Sequence, residues 1–339
     1  MRLLNKYLKE VNQMNKIANL PKEQRRELFT QSALKMNTTN AIIEKDFWVV
    51  WVLDKIFADS RLNKILMFKG GTSLSKVFNL IGRFSEDIDL ILDWTEITNI
   101  DLTKKASSKN QQAKLNETIN NDAKVYIKEQ LLPILQEILS SQCVCEIDES
   151  NEYNIQVRYP STFKDSYLRP QILLEIGPLA SWLPSDSFTI SSYASTYFPK
   201  VFEQAFVKVN AIVAKRTFWE KATILHQEAN RDESKSLPLR YSRHYYDLAS
   251  MARSEVKYEA LNDFTLLAHV VDFKNKFYPA TWAKFDDAKK GTIKLVPPIY
   301  RLATLKNDYK EMQDMIFDKK LSFEEIIDTL QALEDEINS

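Results

Sequence analysis

Asp87 and Asp89 stand two apart in Phe84-Ser85-Glu86-Asp87-Ile88-Asp89-Leu90, a little downstream of Lys69-Gly70-Gly71-Thr72-Ser73. On an extended strand, residues two apart project from one face. Both carboxylates then point the same way, while Ile88 and Leu90 pack on the other side. Two carboxylates about 4 Å apart repel by roughly 4 kcal/mol at an effective dielectric near 20, and burial adds desolvation. A divalent cation is the usual counter-charge, and Mg²⁺ takes carboxylate oxygens together with triphosphate oxygens. A third carboxylate belongs on a neighbouring strand. Glu175, the single charge in Ile172-Leu173-Leu174-Glu175-Ile176, is the candidate metal ligand or general base. Taken alone it reads equally as a strand-end surface residue.

The glycine pair adds the second substrate group. The chain has five glycines, and two are adjacent at Gly70 and Gly71. Glycine serves where backbone turns sharply or approaches a ligand closely. Backbone N–H groups there, with the N-terminus of a following helix, favour phosphate. Thr72 and Ser73 are expected to donate hydroxyls to phosphate or to cap that helix. Ser85 reads either as a phosphate contact or as a turn former. Of the flanking lysines, Lys69 is the weaker phosphate or acceptor contact and Lys76 is expected on the surface. Together these residues predict a nucleotidyltransferase using an NTP with Mg²⁺ or Mn²⁺. An acceptor attacks the α-phosphorus and pyrophosphate leaves.

The elements that must hold these groups are α/β (α+β): a mixed sheet flanked by helices, then a mainly helical C-terminal part. Three parts are expected: an N-terminal helical segment over 1–60, the core over 61–199 and a helical domain over 200–339. Helices are predicted for Asn40–Phe57, which Glu44, Lys45 and Asp46 begin with charge, for Ser73–Ile81 and for Asp122–Leu139. Strands are predicted at Ile65–Phe68, Ile88–Leu92, Cys143–Ile147, Ile155–Tyr159, Gln171–Ile176 and Phe206–Val213. The polar run 99–122 reads as an exposed loop, and 178–199 as a Pro- and Ser-containing connection. Thr217 with Glu220 reads as a capping box opening the helix Phe218–Ala229, and Ser322 with Glu325 as another before the last helix.

Composition excludes some partners. The 339 residues carry no net charge, are 44% hydrophobic and 27% charged, and suffice for a full core. No global field draws in nucleic acid or an anionic membrane. The one locally basic segment, 200–250, has nine Lys/Arg against six Asp/Glu. It is open to two readings, a nucleic-acid contact or ordinary helix-surface charge. Cys143 and Cys145 are expected as packed thiols in a reducing compartment. The polar N-terminus does not read as a secretory leader, and no apolar run approaches a membrane span. The expectation is a cytoplasmic protein with no membrane partner.

The chain also resembles the AbiEii/AbiGii-type nucleotidyltransferase toxins, relatives of the mycobacterial MenT-type toxins, which have the DNA polymerase β-like nucleotidyltransferase fold. The resemblance spans nearly the whole chain. It is carried by Ile43-Glu44-Lys45-Asp46-Phe47-Trp48, the glycine and Asp-x-Asp motifs, Leu174-Glu175-Ile176-Gly177, Arg216-Thr217-Phe218-Trp219-Glu220-Lys221 and Ser242-Arg243-His244-Tyr245-Tyr246-Asp247-Leu248. Gly291-Thr292-Ile293-Lys294-Leu295-Val296-Pro297 and Asp308-Tyr309 fit as well. It implies catalytic roles for Lys221 and Asp247. A lysine on the first turn of a helix can reach a triphosphate, though alone Lys221 reads as a solvated helix lysine. Asp247 can orient Lys221 or an acceptor hydroxyl, or pair with Arg243 one helical turn earlier. Arg243 and His244 are expected to contact phosphate or acceptor, with a satisfied core histidine as the other reading of His244. The resemblance further implies a toxin with a cognate antitoxin and, as acceptor, the 3′ end of tRNA. A protein or small-molecule acceptor, and a non-catalytic nucleotide-binding regulator, remain open from the residues alone.

Overall fold

The computed structural model describes residues 13–98, 106, 108–165, 168–203, 206–317 and 320–339. Residues 1–12 of the expected helical start, and 99–105 of the expected loop, lie outside the described residues.

The chain opens with α1 (Gln13–Ala18), α2 (Lys22–Met36) and α3 (Asn40–Ala58). Thr39 caps α3 by accepting from the Ile42 N–H, which satisfies a helix-end donor that would otherwise be orphaned. Then follow β1 (Leu66–Lys69), α4 (Gly70–Lys76), β2 (Ile88–Leu92) and α5 (Lys109–Tyr126), which a π-helical turn over Ile127–Leu131 joins to α6 (Leu132–Leu139). Strands β3 (Val144–Asp148), β4 (Asn151–Arg158), β5 (Gln171–Gly177) and β6 (Ser185–Ile190) come next. The short α7 (Tyr193–Tyr197) and α8 (Pro199–Phe202) lead to β7 (Val207–Ile212). The remainder is helical: α9 (Ala214–Ala229), α10 (Ser242–Ala252), α11 (Val256–Leu261), α12 (Phe264–Phe277), α13 (Ile299–Glu311) and α14 (Phe323–Asn338).

Seven strands form one mixed sheet in the order β3-β4-β5-β2-β1-β7-β6. β2 runs antiparallel to β1 and parallel to β5, and β1 runs parallel to β7. Helix α3 lies against the sheet. Its Phe47, Trp48 and Trp51, all 0% exposed, pack in one apolar cluster with Ile88, Leu90 and Leu174 from the strands. Truncating one such ring to alanine costs about 3–5 kcal/mol. A second cluster gathers Phe218, Trp219, Tyr245, Tyr246 and Leu330 from the helical half and reaches back to Leu74, Ile81 and Phe84.

Several expectations are corrected. The polar run 99–122 contains most of α5, capped by Ser108. One position of its buried stripe is Asn116, beside Ile119 and Ala123, so the apolar period is hard to see. The Asn116 amide donates to the Lys276 carbonyl at 3.0 Å, satisfying the last turn of α12. Helix α4 begins at Gly70 rather than Ser73 and stops at Lys76, and Asn79 just beyond it takes a left-handed φ of 51°. Helix α9 starts at Ala214, so Thr217 lies inside it and the expected capping box is absent; Glu220 instead takes the Arg216 guanidinium at 3.0 Å. The box at Ser322 and Glu325 is present. Edge strand β6, Ser-Asp-Ser-Phe-Thr-Ile, lies in the expected connection 178–199; its polar alternation hides it. Because β7 pairs into the sheet between β1 and β6, a boundary at 199 would cut the sheet, and we place the start of the helical half at Ala214.

Glu44, Lys45 and Asp46 are the largest surprise, because all three are at most 1% exposed. The Glu44 carboxylate accepts from Thr162 N and Oγ1, both at 2.8 Å, and from Phe163 N at 3.1 Å. Lys45 pairs with buried Glu86 and donates to the Arg169 carbonyl at 3.1 Å. Asp46 pairs with Lys76 and accepts from Tyr193 N at 2.6 Å. Lys76 is thus buried rather than on the surface, with its ammonium 3.6 Å from the Tyr193 ring centroid.

Candidate active site

Strand pairing gathers the acidic residues. Asp89 is in register with Glu175 on β5 and with Lys69 on β1. Asp87 sits in the bend just before β2 rather than on the strand. All three carboxylates line one cleft, with Lys69, Gly70 and Gly71. Burial, then the neighbouring Glu86 charge, pushes the Asp87 carboxyl up to about 6. Burial, then Asp89 and Asp87, push Glu175 up to about 7. Such crowding favours a cation.

Gly70 has φ +80°, and an added Cβ would coincide with the Asp89 carboxylate. This position therefore needs glycine twice over, for the left-handed backbone and for the approach of Asp89. A Cβ on Gly71 would meet Arg83 Nη2 and Ser85 Oγ, both at 2.9 Å. Ser85 lines the cleft with Arg83. Thr72 and Ser73 are not brought there: both are buried, and their hydroxyls donate to the Asp87 and Gly70 carbonyls. They hold the turn against the carboxylate strand.

Across the cleft stand Thr217, Glu220, Lys221 and Ile224 from α9, with Arg243 and His244 from α10. Lys221 is buried and donates to Asp247 Oδ2 at 2.7 Å. The fully buried Asp247 also takes the Arg83 fork, Nε at 2.7 Å and Nη2 at 2.8 Å. It does not pair with Arg243, which lies exposed at the cleft. Burial alone would raise the Asp247 carboxyl, but Arg83 and Lys221 hold it well below the usual range, so it stays ionised. Burial and the Lys221 charge push His244 well below its ordinary value, leaving a neutral ring whose Nδ1 lies 3.3 Å from Lys221 Nζ.

One aspartate thus serves two cations, Arg83 and Lys221, and the exposed Arg243 adds a third positive group to the same wall. The cleft has a positive wall facing a negative one, the polarity that a nucleoside triphosphate and its cation require. Arg83 is the residue that sequence reasoning missed; its signal was only its place two residues before Ser85. Thr217, read as a cap, instead keeps a buried hydroxyl with no hydrogen-bond partner among the described residues. The basic segment 200–250 is no single patch, since Arg216 and Arg231 are paired with Glu220 and Glu228. Cys143 and Cys145 are free and buried.

The sequence matches the family described as "Nucleotidyl transferase AbiEii toxin, Type IV TA system" over residues 51–329. The chain belongs to this family. It is a nucleotidyltransferase, the toxin of a type IV toxin–antitoxin system. Two solved structures are similar to this AbiEii-type chain. JHP933 from Helicobacter pylori is 15% identical, with a TM-score of 0.45, covering 89% of this chain and 93% of its own. The MenT4 nucleotidyltransferase toxin from Mycobacterium tuberculosis is 15% identical, with a TM-score of 0.40, covering 93% and 99%. No curated protein matches the sequence significantly.

Nucleotidyltransferases generally use a divalent cation with the NTP. The donor chemistry here fits one: three hard, all-oxygen side chains on one wall, two of them holding their protons more tightly than usual because of burial and neighbouring carboxylates. Among the described residues, however, no three His, Cys, Asp or Glu side chains are drawn into a ready-made metal cluster. Nor does any described helix have the length and apolarity to cross a membrane.

Proposed function

We propose that this toxin transfers a nucleoside monophosphate from an NTP to the 3′ end of tRNA. The observation that carries the reading is the two-walled cleft, with Asp87, Asp89 and Glu175 facing Lys221 and Arg243. The acceptor is the one that the family resemblance of the sequence motifs implies.

Asp87, Asp89 and Glu175 would hold a Mg²⁺ or Mn²⁺ ion, which supplies charge at the phosphate oxygens when bound. Lys221 and Arg243 bind the triphosphate, and Lys69 adds a weaker contact beside the glycine turn. The Gly70 and Gly71 backbone lets the phosphates approach closely, with Ser85 donating at the rim. Asp247 positions Lys221, keeping its ammonium aimed at the cleft, while neutral His244 accepts from it and does not compete as a cation. Much of the rate enhancement in this chemistry is positioning and charge neutralisation. The antitoxin neutralises a cytoplasmic enzyme in this reading.

The test is incubation with each α-labelled NTP, Mg²⁺ and total tRNA. Wild type labels tRNA, and Asp87→Ala reduces transfer by at least about a hundredfold. Persistence at the wild-type rate would remove Asp87 from the mechanism. Labelled protein beside unlabelled tRNA would reject the tRNA acceptor.

A further inference from the structure

One row of polar side chains crosses four adjacent strands at the floor of the cleft. Asn154 on β4 is paired with Glu175 on β5, Glu175 with Asp89 on β2, and Asp89 with Lys69 on β1. Residues in register project from the same face of a sheet. The row separates two hollows that share Lys69, Asp89 and Glu175. One is the cleft already described. The other, of about 370 Å³, is walled by Asn120, Asn151, Tyr153, Asn154 and Tyr278, and its size is that of a small-molecule site.

The two hollows differ in chemistry. The first carries the cations that suit a triphosphate. The second adds no charged side chain to the shared three; it adds amides and phenol rings. Both rings are pinned by their hydroxyls. Tyr278 donates to the Leu179 carbonyl and Tyr153 to the Asn120 carbonyl at 3.3 Å. Tyr278 nevertheless remains 52% exposed. A fixed, exposed ring is a platform for an unpaired base, and asparagine amides supply the paired donor and acceptor that base edges match.

Geometry assigns the two hollows different reactants. Nucleotidyl transfer is in line, so the attacking oxygen enters opposite the departing pyrophosphate. With the triphosphate on the Lys221 side of the Asp89–Glu175 pair, attack comes from the other side. We propose that the second hollow receives the terminal nucleoside of a single-stranded RNA acceptor, its base stacked on Tyr278 and its ribose beside Glu175. The proposal rests on the nucleotidyl-transfer reading above. The ribose 3′ oxygen bonds to the α-phosphorus, the α–β bridging P–O bond breaks, and the electron pair leaves with pyrophosphate. The hydroxyl proton passes to water at the open mouth of the hollow.

Steady-state transfer by full-length Tyr278→Ala is measured with tRNA and NTP varied in turn. The acceptor KM rises about tenfold, in keeping with the loss of one stacking partner, while the NTP KM stays within about twofold. Tyr278→Phe, which keeps the ring, recovers most of the loss. A rise in the NTP KM with an unchanged acceptor KM would place the NTP base in this hollow and overturn the proposal; so would no change in either. A second measurement does not depend on turnover. In the Asp87→Ala protein, an RNA oligonucleotide with a photoreactive 3′-terminal base crosslinks to the peptide carrying Tyr278 or to that carrying Asn151–Asn154. Crosslinks confined to other surfaces overturn the assignment. If wild type labels no RNA from any NTP, or labels protein only, the underlying reading fails instead, and the two failures are distinguishable.

Discussion

At the residue scale, the carboxylate wall makes the metal-free protein pH-sensitive. Glu175 is raised from an ordinary 4.5 to about 7, by burial first and then by Asp89 and Asp87. A carboxyl that binds its proton more tightly folded than unfolded stabilises the fold at low pH. That contribution is complete below 4.5 and is lost as pH rises through about 7. Glu175→Gln does not titrate, so its stability relative to wild type should increase across this window and then level off. Urea denaturation of both proteins at several pH values, without divalent ions, measures the gap. Mg²⁺ added above the window should narrow it by favouring the ionised wild type. A gap independent of pH would show that Glu175 is not crowded by its neighbours. Because Glu175 and the aspartates interact, the transition belongs to the group as a whole. This wall was the most legible part of the chain, because a charge inside an apolar strand stands out. Asp247 was legible only as a member of a motif: its partners Arg83 and Lys221 come from distant segments, and no spacing rule connects them.

At the element scale, the start of α3 acts as a junction. Three consecutive side chains, Glu44, Lys45 and Asp46, tie down the 161–163 loop, the approach to Asp87 and the helix after the glycine turn. In the sequence they look like a solvated helix start, since charge usually marks an exposed face. Only the tertiary contacts reveal that each has a buried partner. Breaking one such pair leaves an uncompensated buried charge, which costs about 3–5 kcal/mol. Asp46→Asn should therefore lower unfolding stability by about that amount by stranding Lys76, measured as a shift of the urea midpoint. A change below about 0.5 kcal/mol would mean that Lys76 finds water. The elements that were misread share one cause. Asn116 on α5 and Asp186 on β6 put polar groups where a periodic reading expects apolar ones. Thr217 and Glu220 have cap spacing, yet the chain leaves β7 straight into a helix four residues earlier.

At the scale of the whole molecule, the positive wall is assembled across the two halves. Arg83 comes from the segment before β2, whereas Lys221 and Asp247 come from α9 and α10. Asp247→Asn removes the shared negative charge and leaves two buried cations facing each other. We expect a loss of about 3–5 kcal/mol in stability together with loss of nucleotide transfer, checked by urea denaturation and the labelling assay on the same preparation. Retained stability with full transfer would make Asp247 dispensable. The fold class was legible from the order of strands and helices, but the Arg83–Asp247–Lys221 contacts that join the two halves were not, because they depend on which buried groups lack partners locally.

The Arg83 segment is also clasped by the far end of the chain. Phe84 N donates to the Met315 carbonyl at 2.8 Å, and Phe317 N to the Gly82 carbonyl at 3.0 Å. The guanidinium of Arg83 therefore meets Asp247 from a backbone that is itself anchored at 315–317, so a change in that distant segment reaches the cleft through Arg83.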